Sequence, residues 1–188
     1  MDWPVDLTGV TETLVTTLGP NDRYNVAALG IHASAEGPPT ARTWGRTRTW
    51  RNFRERGVGY VQFTTDPLLF VDAALSIHEV DEPVLDDARA WVRVSPEQLD
   101  SASEGDTQWV DWRLPAEAAT VRSRVVPTFS RGYAAVVEGT VAASRLDVDG
   151  YDTEQLRERI DYFDGVVDRC GSERDREAYD RLLALVEE

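Results

Sequence analysis

A small, mainly β domain, built as an antiparallel barrel with helical additions and two closing helices, is the architecture this sequence predicts. Three observations predict it. Short β-branched runs follow one another across turn signals, which favours antiparallel neighbours over a doubly wound sheet. Only two inserted stretches within residues 1–148 read as helices. Residues 149–188 carry apolar side chains at helical spacing, so they form a helical hairpin appended to the barrel domain of residues 1–148.

The elements follow in order. Residues 11–18, TETLVTTL, read as a strand, and Gly19-Pro20-Asn21-Asp22 as a turn. Tyr24–His32 is the returning strand. Tyr24, Val26, Ala28 and Gly30 face one way; Asn25, Ala27, Leu29 and Ile31 face the other. Its small residues would let a flat ligand approach the backbone, and they would equally serve two packed layers. After a loop over 33–39, a short strand over 41–44 leads to Gly45. A helix over 47–56 has Thr47 or Thr49 as N-cap and ends at Gly57. In the next strand, 58–65, Tyr60, Gln62 and Thr64 share a face polar enough to line a cleft. Asp66-Pro67 opens a second helix, apolar almost all round and therefore expected to be buried. Residues 79–87 read as an acidic loop, Ala90–Val94, 108–114 and 121–128 as strands, and 96–106 as a polar connection. The strongest late strand is 133–146, YAAVVEGTVAASRL, with a bend or bulge at Gly139. Asp152 then starts a helix with the stripe Leu156, Ile160, Phe163, Val167 and Cys170. Gly171 stops it, and Ser172 caps the last helix.

Composition narrows the function. All 20 basic side chains are arginine, against 34 acids and a net charge of −14. An acidic, lysine-free surface fits a salt-rich cytoplasm and a halophilic source better than the plainer alternative, an acidic protein of a GC-rich genome in which codon bias replaces lysine by arginine. It argues against general nucleic-acid or anionic-membrane binding. No apolar run approaches membrane-spanning length, and MDWPVDLTGV lacks the regions of a secretory signal, so a cytoplasmic protein is expected. Cys170 is the only cysteine, which excludes an internal disulfide and a cysteine-based zinc site. Its place on an apolar stripe predicts burial. His32 and His78 lack a second ligand at metal spacing, so no metal site is expected. There is no GxGxxG, GxxxxGK[ST] or GxSxG, and no catalytic residue is legible.

Against that acidic background, Arg42, Arg46, Arg48, Arg51, Arg54 and Arg56 crowd into one stretch, opposed only by Glu55. Thr47, Thr49 and Asn52 lie among them, beside Gly45 and a helix start. Guanidinium forks, hydroxyls and the free N–H groups of a helix N-terminus together suit a phosphate group. At molar salt the screening length is about 3 Å, so such a site must work by direct contact. A surface helix whose arginines pair with the abundant acids is the plainer alternative.

Several runs carry a resemblance: 12–17 (ETLVTT), 25–31 (NVAALGI), 45–52 (GRTRTWRN), 64–70 (TTDPLLF), 130–138 (SRGYAAVVE) and 170–174 (CGSER). In this order they resemble the archaeal family called domain of unknown function 447. That family is similar to the flavin reductases and pyridoxamine-phosphate oxidases of the FMN-binding split-barrel superfamily. The resemblance implies a Greek-key-like antiparallel split β-barrel, FMN as cofactor, and a homodimer with FMN at the subunit interface. It implies that Arg46, Thr47, Thr49 and Asn52 hold the FMN phosphate, with Arg42 and Arg48 as further candidates. Asn25, Val26, Ala27 and Ala28 would lie along the flavin, and Gln62 and Thr64 would reach its polar edge. Arg131 would approach from the late strands. The implied function is a flavin-dependent oxidoreductase, flavin reductase-like, with a nicotinamide donor and an unread substrate. The alternatives are an FMN- or phospho-ligand-binding protein without turnover, and an interaction protein using the arginine helix as its surface.

Overall fold

The computed structural model describes residues 3–104, 107–148 and 150–187. The chain divides into two units: a β unit of residues 1–64 and 78–124, and a helical unit of 65–77 and 125–188.

The β unit is organised by its first hairpin. Strands β1 (Val10–Leu18) and β2 (Tyr24–His32) pair antiparallel along their whole length, from Val10↔His32 to Leu18↔Tyr24. The Gly19 N–H closes the turn on the Arg23 carbonyl at 2.8 Å. Asp22 takes φ 58° there, a left-handed conformation that aspartate tolerates better than most residues. β3 (Thr40–Trp44) follows on one side of β2. β4 (Gly59–Phe63) lies against β1, and the short β5 (His78–Val80) against the start of β2. β6 (Ala90–Val94), β7 (Glu97–Glu104), β8 (Thr107–Arg113) and β9 (Ala116–Val121) complete an order of β7-β8-β3-β2-β1-β4-β6-β9, with β5 beside β2.

The two faces of β2 separate as its alternation predicts. Val15, Ala27, Leu29 and Val61 belong to the barrel core, together with Ile31, Val92 and Trp112. Helix α1 (Arg48–Arg56) sends Phe53 into that core. Phe53 is 1% exposed and meets Trp112 edge to face at 5.4 Å between centroids. Burying a side chain of that size contributes about 1.5–3 kcal/mol. Thr47 caps α1, its hydroxyl accepting from the Trp50 N–H, and Gly57 at φ 65° ends it.

In the helical unit, α2 (Pro67–Leu75) is capped by Asp66, with Pro67 in its first turn. α3 (Arg131–Ala143) packs mainly on α4 (Thr153–Cys170), and α2 mainly on α5 (Glu173–Glu187). Arg174 of α5 donates to both carboxylate oxygens of Asp66, at 3.0 and 2.6 Å. Burial opposes the Asp66 charge, but Arg174 and the first N–H groups of α2 outweigh it and lower its pKa. A lowered aspartate stabilises the fold above the ordinary value of about 3.9, and that contribution fades as pH falls through the folded value. Asp152 and Ser172 start α4 and α5 as their sequence suggests.

Four expectations are corrected. Residues 133–146 are not a strand: they lie mostly in α3, capped by Ser130. The decisive pattern is Gly132, Ala135, Val136, Gly139 and Ala143, buried at helical spacing. Those small residues let neighbours approach closely, and Gly139 marks a helix contact with Tyr179 instead of a strand bulge. The strand expected over 121–128 is β9, which ends at Val121. The polar connection of 96–106 contains β7, which pairs with β8 as an edge strand and so needs no apolar face. Cys170 is exposed, because the buried side of α4 runs through Val166 and Val167 at that end.

Candidate functional site

β2 loses its neighbour part-way along. Residues 24–26 pair with β5 and residues 31–32 with β3. Between them, among the described residues, 27–30 have a strand partner only on the β1 side. β3 meanwhile continues to Trp44, and Gly45 turns the chain at φ 68°, where a side chain would be strained. Arg46 follows, exposed, with no ion-pair partner among the described residues. Thr47 then caps α1, whose first turn contains no acid. Its first N–H groups and its dipole present positive charge with nothing acidic in that turn to cancel it.

A short chain of contacts ties this helix start to β2. Arg48 donates to Glu79 at 2.6 Å, and Glu79 stands opposite Asn25 in the β5–β2 pairing. Asn21 also donates to Glu79, at 3.1 Å. Asn52 donates to the Thr17 hydroxyl at 3.0 Å, and Thr17 is the β1 partner of Asn25. Thr49 and Asn25 are 4% and 6% exposed, so both are fixed by packing next to that start. Asn25, Arg48, Thr49 and Asn52 are thus brought together beside the exposed Arg46 and Thr47. Arg51, one helical turn from Thr47, has a buried Nε without a hydrogen-bond partner.

The other candidates are placed differently. Val26 and Ala28 point to the opposite face of β2 from Asn25 and Ala27. Gln62 shares that opposite face, in one row with Leu14 and Ala28. It is 0% exposed; its amide donates to the Thr16 hydroxyl at 3.0 Å and the Pro83 carbonyl at 3.1 Å, and accepts from the Leu85 N–H at 2.8 Å. Both ends of the amide therefore pin the loop after β5. Gln62→Leu is expected to cost about 2–3 kcal/mol of stability by stranding those partners. An unchanged melting temperature with lost ligand would instead make Gln62 a ligand contact. Thr64 follows the end of β4. Arg42 points outward, held by Asp111 through two hydrogen bonds of 2.7 and 2.9 Å. Arg131 opens α3 in the helical unit and does not stand on a late strand. A separate cleft of about 600 Å³, lined by residues including Trp3, Leu7, Ser34, Pro39 and Ala116, contains none of these candidates.

Sequence reasoning missed Glu79, which was read into an acidic loop, and the Asn52–Thr17 bond. Neither has a local signal; both exist because β5 and α1 converge on the start of β2.

Residues 11–123 match the family described as protein of unknown function (DUF447), N-terminal domain, and residues 130–184 match its second part, protein of unknown function (DUF447). The chain belongs to the DUF447 family. The interval between the two DUF447 matches contains the last crossing of the chain from the β unit to the helical unit, and residues 65–77 of the helical unit lie within the first match. The fold is that of an FMN-bound DUF447 protein from Methanosarcina mazei: 24% identity, TM-score 0.79, covering 95% of this chain and 96% of that one. Weaker likenesses include a flavoredoxin from Methanosarcina acetivorans, at 13% identity and TM-score 0.44 over 68% of this chain and 76% of that one. Another is the styrene monooxygenase flavin reductase of Pseudomonas putida S12, at 17% identity and TM-score 0.38 over 61% and 79%. The DUF447 architecture is a split β-barrel with added helices, two of them C-terminal. Among the described residues no helix is long and apolar enough to cross a membrane, and no cluster of three metal-ligating side chains occurs.

Proposed function

We propose that this chain binds FMN and is a flavin reductase-like oxidoreductase working as a homodimer. The observation that carries the reading is the meeting of two incomplete backbones. Residues 27–30 of β2 offer unpaired strand edge, and the start of α1, with no acid in its own first turn, offers N–H groups beside Arg46. A flat ring with polar edges suits the first, and a phosphate suits the second. Arg46 supplies the free charge. Thr47 accepts from the Trp50 N–H at 3.2 Å and still has its own hydroxyl proton to donate. Arg48, tied to Glu79, and the buried Thr49 and Asn52 frame the phosphate cradle and hold it in place, and Arg51 with its orphaned Nε is the natural reserve donor. Asn25, Val26, Ala27 and Ala28 form the strand beside the ring. Gln62 serves through the loop it pins, and Arg42 through the strand it braces.

Bound there, FMN would supply hydride or electron transfer at its ring, and the protein would bind, orient and shield it. The DUF447 protein of Methanosarcina mazei is described as FMN-bound, which supports the cofactor. A second copy would bury the exposed apolar side chains Val126 and Phe129, 86% and 108% exposed. The lysine-free acidic composition supports a salt-rich cytoplasm, and the family resemblance supports an archaeal source. The Asp164 pKa is raised by partial burial and by Asp168, Asp180 and Asp161. A raised carboxyl costs stability at neutral pH, and dissolved salt screens the repulsion.

The test is an absorption spectrum of protein purified in high salt after loading with FMN and removing the excess. A flavin band of about one per chain is expected, followed by bleaching with NADH or NADPH under anaerobic conditions. Flavin retained but never bleached would leave a flavin-binding protein without turnover by this donor. A folded protein that retains no flavin would sink the reading.

A further inference from the structure

We propose that Trp44 is a stacking platform for a nucleotide base, and that its ligand is the adenosine half of the dinucleotide reductant. The ligand's identity rests on the flavin reading; the platform does not. Ala41 and Thr43 of β3 turn into the core, so Arg42 and Trp44 turn out. Across the β3–β8 ladder, Arg42 stands opposite Asp111 and Trp44 opposite Trp109. The Arg42 guanidinium lies 3.9 Å from the Trp109 ring centroid and 5.4 Å from that of Trp44. Asp111 holds the same guanidinium at Nε and Nη2, at 2.7 and 2.9 Å.

The result is a braced aromatic surface. Trp44 keeps 42% of its surface exposed, although the neighbouring core takes Trp112 almost completely. The paired guanidinium stacks on Trp109 and also lies over the exposed Trp44 indole at 5.4 Å, so Trp44 is partly held and a stacking ligand would bear less of the ordering cost. Asp111 cancels the Arg42 charge, which leaves the platform suited to an uncharged ring and not to a phosphate. The cations come next in the chain: Trp44 ends β3, Gly45 turns, and the arginine-rich segment starts at Arg46. A neutral aromatic plane bordered by free positive charge complements a purine carrying phosphates.

The experiment is calorimetric titration of FMN-saturated protein with ADP-ribose, which has the adenine and phosphates but no nicotinamide to reach the flavin. Ribose 5-phosphate is the ring-free control. Wild type is expected to bind ADP-ribose at least about fivefold more tightly than the control, the low end of base stacking on an aromatic side chain. Trp44→Leu should lose that factor, and Trp44→Phe should keep most of it, with circular dichroism reporting that both are folded. Equal binding by Trp44→Leu and wild type overturns the platform. So does a wild type that prefers neither ligand, the result expected if the ring served contact with a second copy. If the protein retains no FMN, the flavin reading fails, and the same titration on ligand-free protein still decides the role of Trp44.

Discussion

Arg46→Ala is expected to weaken FMN binding about 10- to 150-fold without changing the melting temperature. The range corresponds to about 1.5–3 kcal/mol for a hydrogen bond to a charged group. Of Arg42, Arg46 and Arg48, which flank the start of α1, Arg46 is the one that is exposed with no ion-pair partner among the described residues. Arg42 is held by Asp111 and two tryptophans, and Arg48 by Glu79. Arg54 lies over Trp50 at 5.0 Å and is the control: Arg54→Ala should leave FMN affinity within about twofold. Arg46→Lys should recover only part of the loss, since it restores charge but not the paired fork. Fluorescence titration of flavin decides it. Wild-type affinity in Arg46→Ala would move the phosphate away from this loop.

Gly139→Val should destabilise the helical unit by about 2–4 kcal/mol. A β-carbon at Gly139 would sit 2.4 Å from the Tyr179 hydroxyl and 2.7 Å from its ring. Tyr179 has nowhere to retreat. It is 1% exposed, and its hydroxyl donates to the Ile160 carbonyl at 2.7 Å. Burial, and then Asp164 and Asp161, raise the Tyr179 pKa, so the phenol stays a donor. Val therefore either crowds the ring or breaks that bond. Each kcal/mol lowers the melting temperature by about 2–4 °C in a protein of this size. A melt by far-ultraviolet circular dichroism within a degree of wild type would show that α3 and α5 do not pack through this glycine. Even Gly139→Ala tests the contact, because on an exposed helix that change adds about 1 kcal/mol of stability, and here the sign should reverse.

The barrel was legible wherever one face of a strand is buried. β1 announces itself through β-branched residues and β2 through alternation, and Ala27 and Leu29 lie in the core on the face of β2 they were read to share; on β4 the face read as polar enough to line a cleft carries the fully buried Gln62. Legibility failed where the signal is shared between structures. YAAVVEGTVAASRL satisfies a strand by composition and a helix by spacing, and the buried glycines decide for the helix. EQLDSASE gives no apolar alternation because β7 is an edge strand with little to bury. At the candidate site, the Arg–Thr cluster stood out by its charge against an acidic chain, and local rules narrowed its cap to Thr47 or Thr49, of which Thr47 serves.

By itself, then, the sequence determined the things that short-range physics controls: the strand faces, the capped helix start, the local reversal of charge, and the family resemblance carried by ordered motifs. Only the tertiary structure decided which arginines remain available. Arg42, Arg46 and Arg48 are equivalent in composition, but Asp111 and Glu79 arrive from distant strands to neutralise two of them. The same holds for Gln62 and Asn52, alike in chemistry. Register puts Gln62 on one sheet face, engaged with residues 16, 83 and 85, and α1 carries Asn52 to Thr17 on the other. An ion pair or a buried amide bond depends on partners far apart in the chain, and no local pattern fixes where those partners will stand.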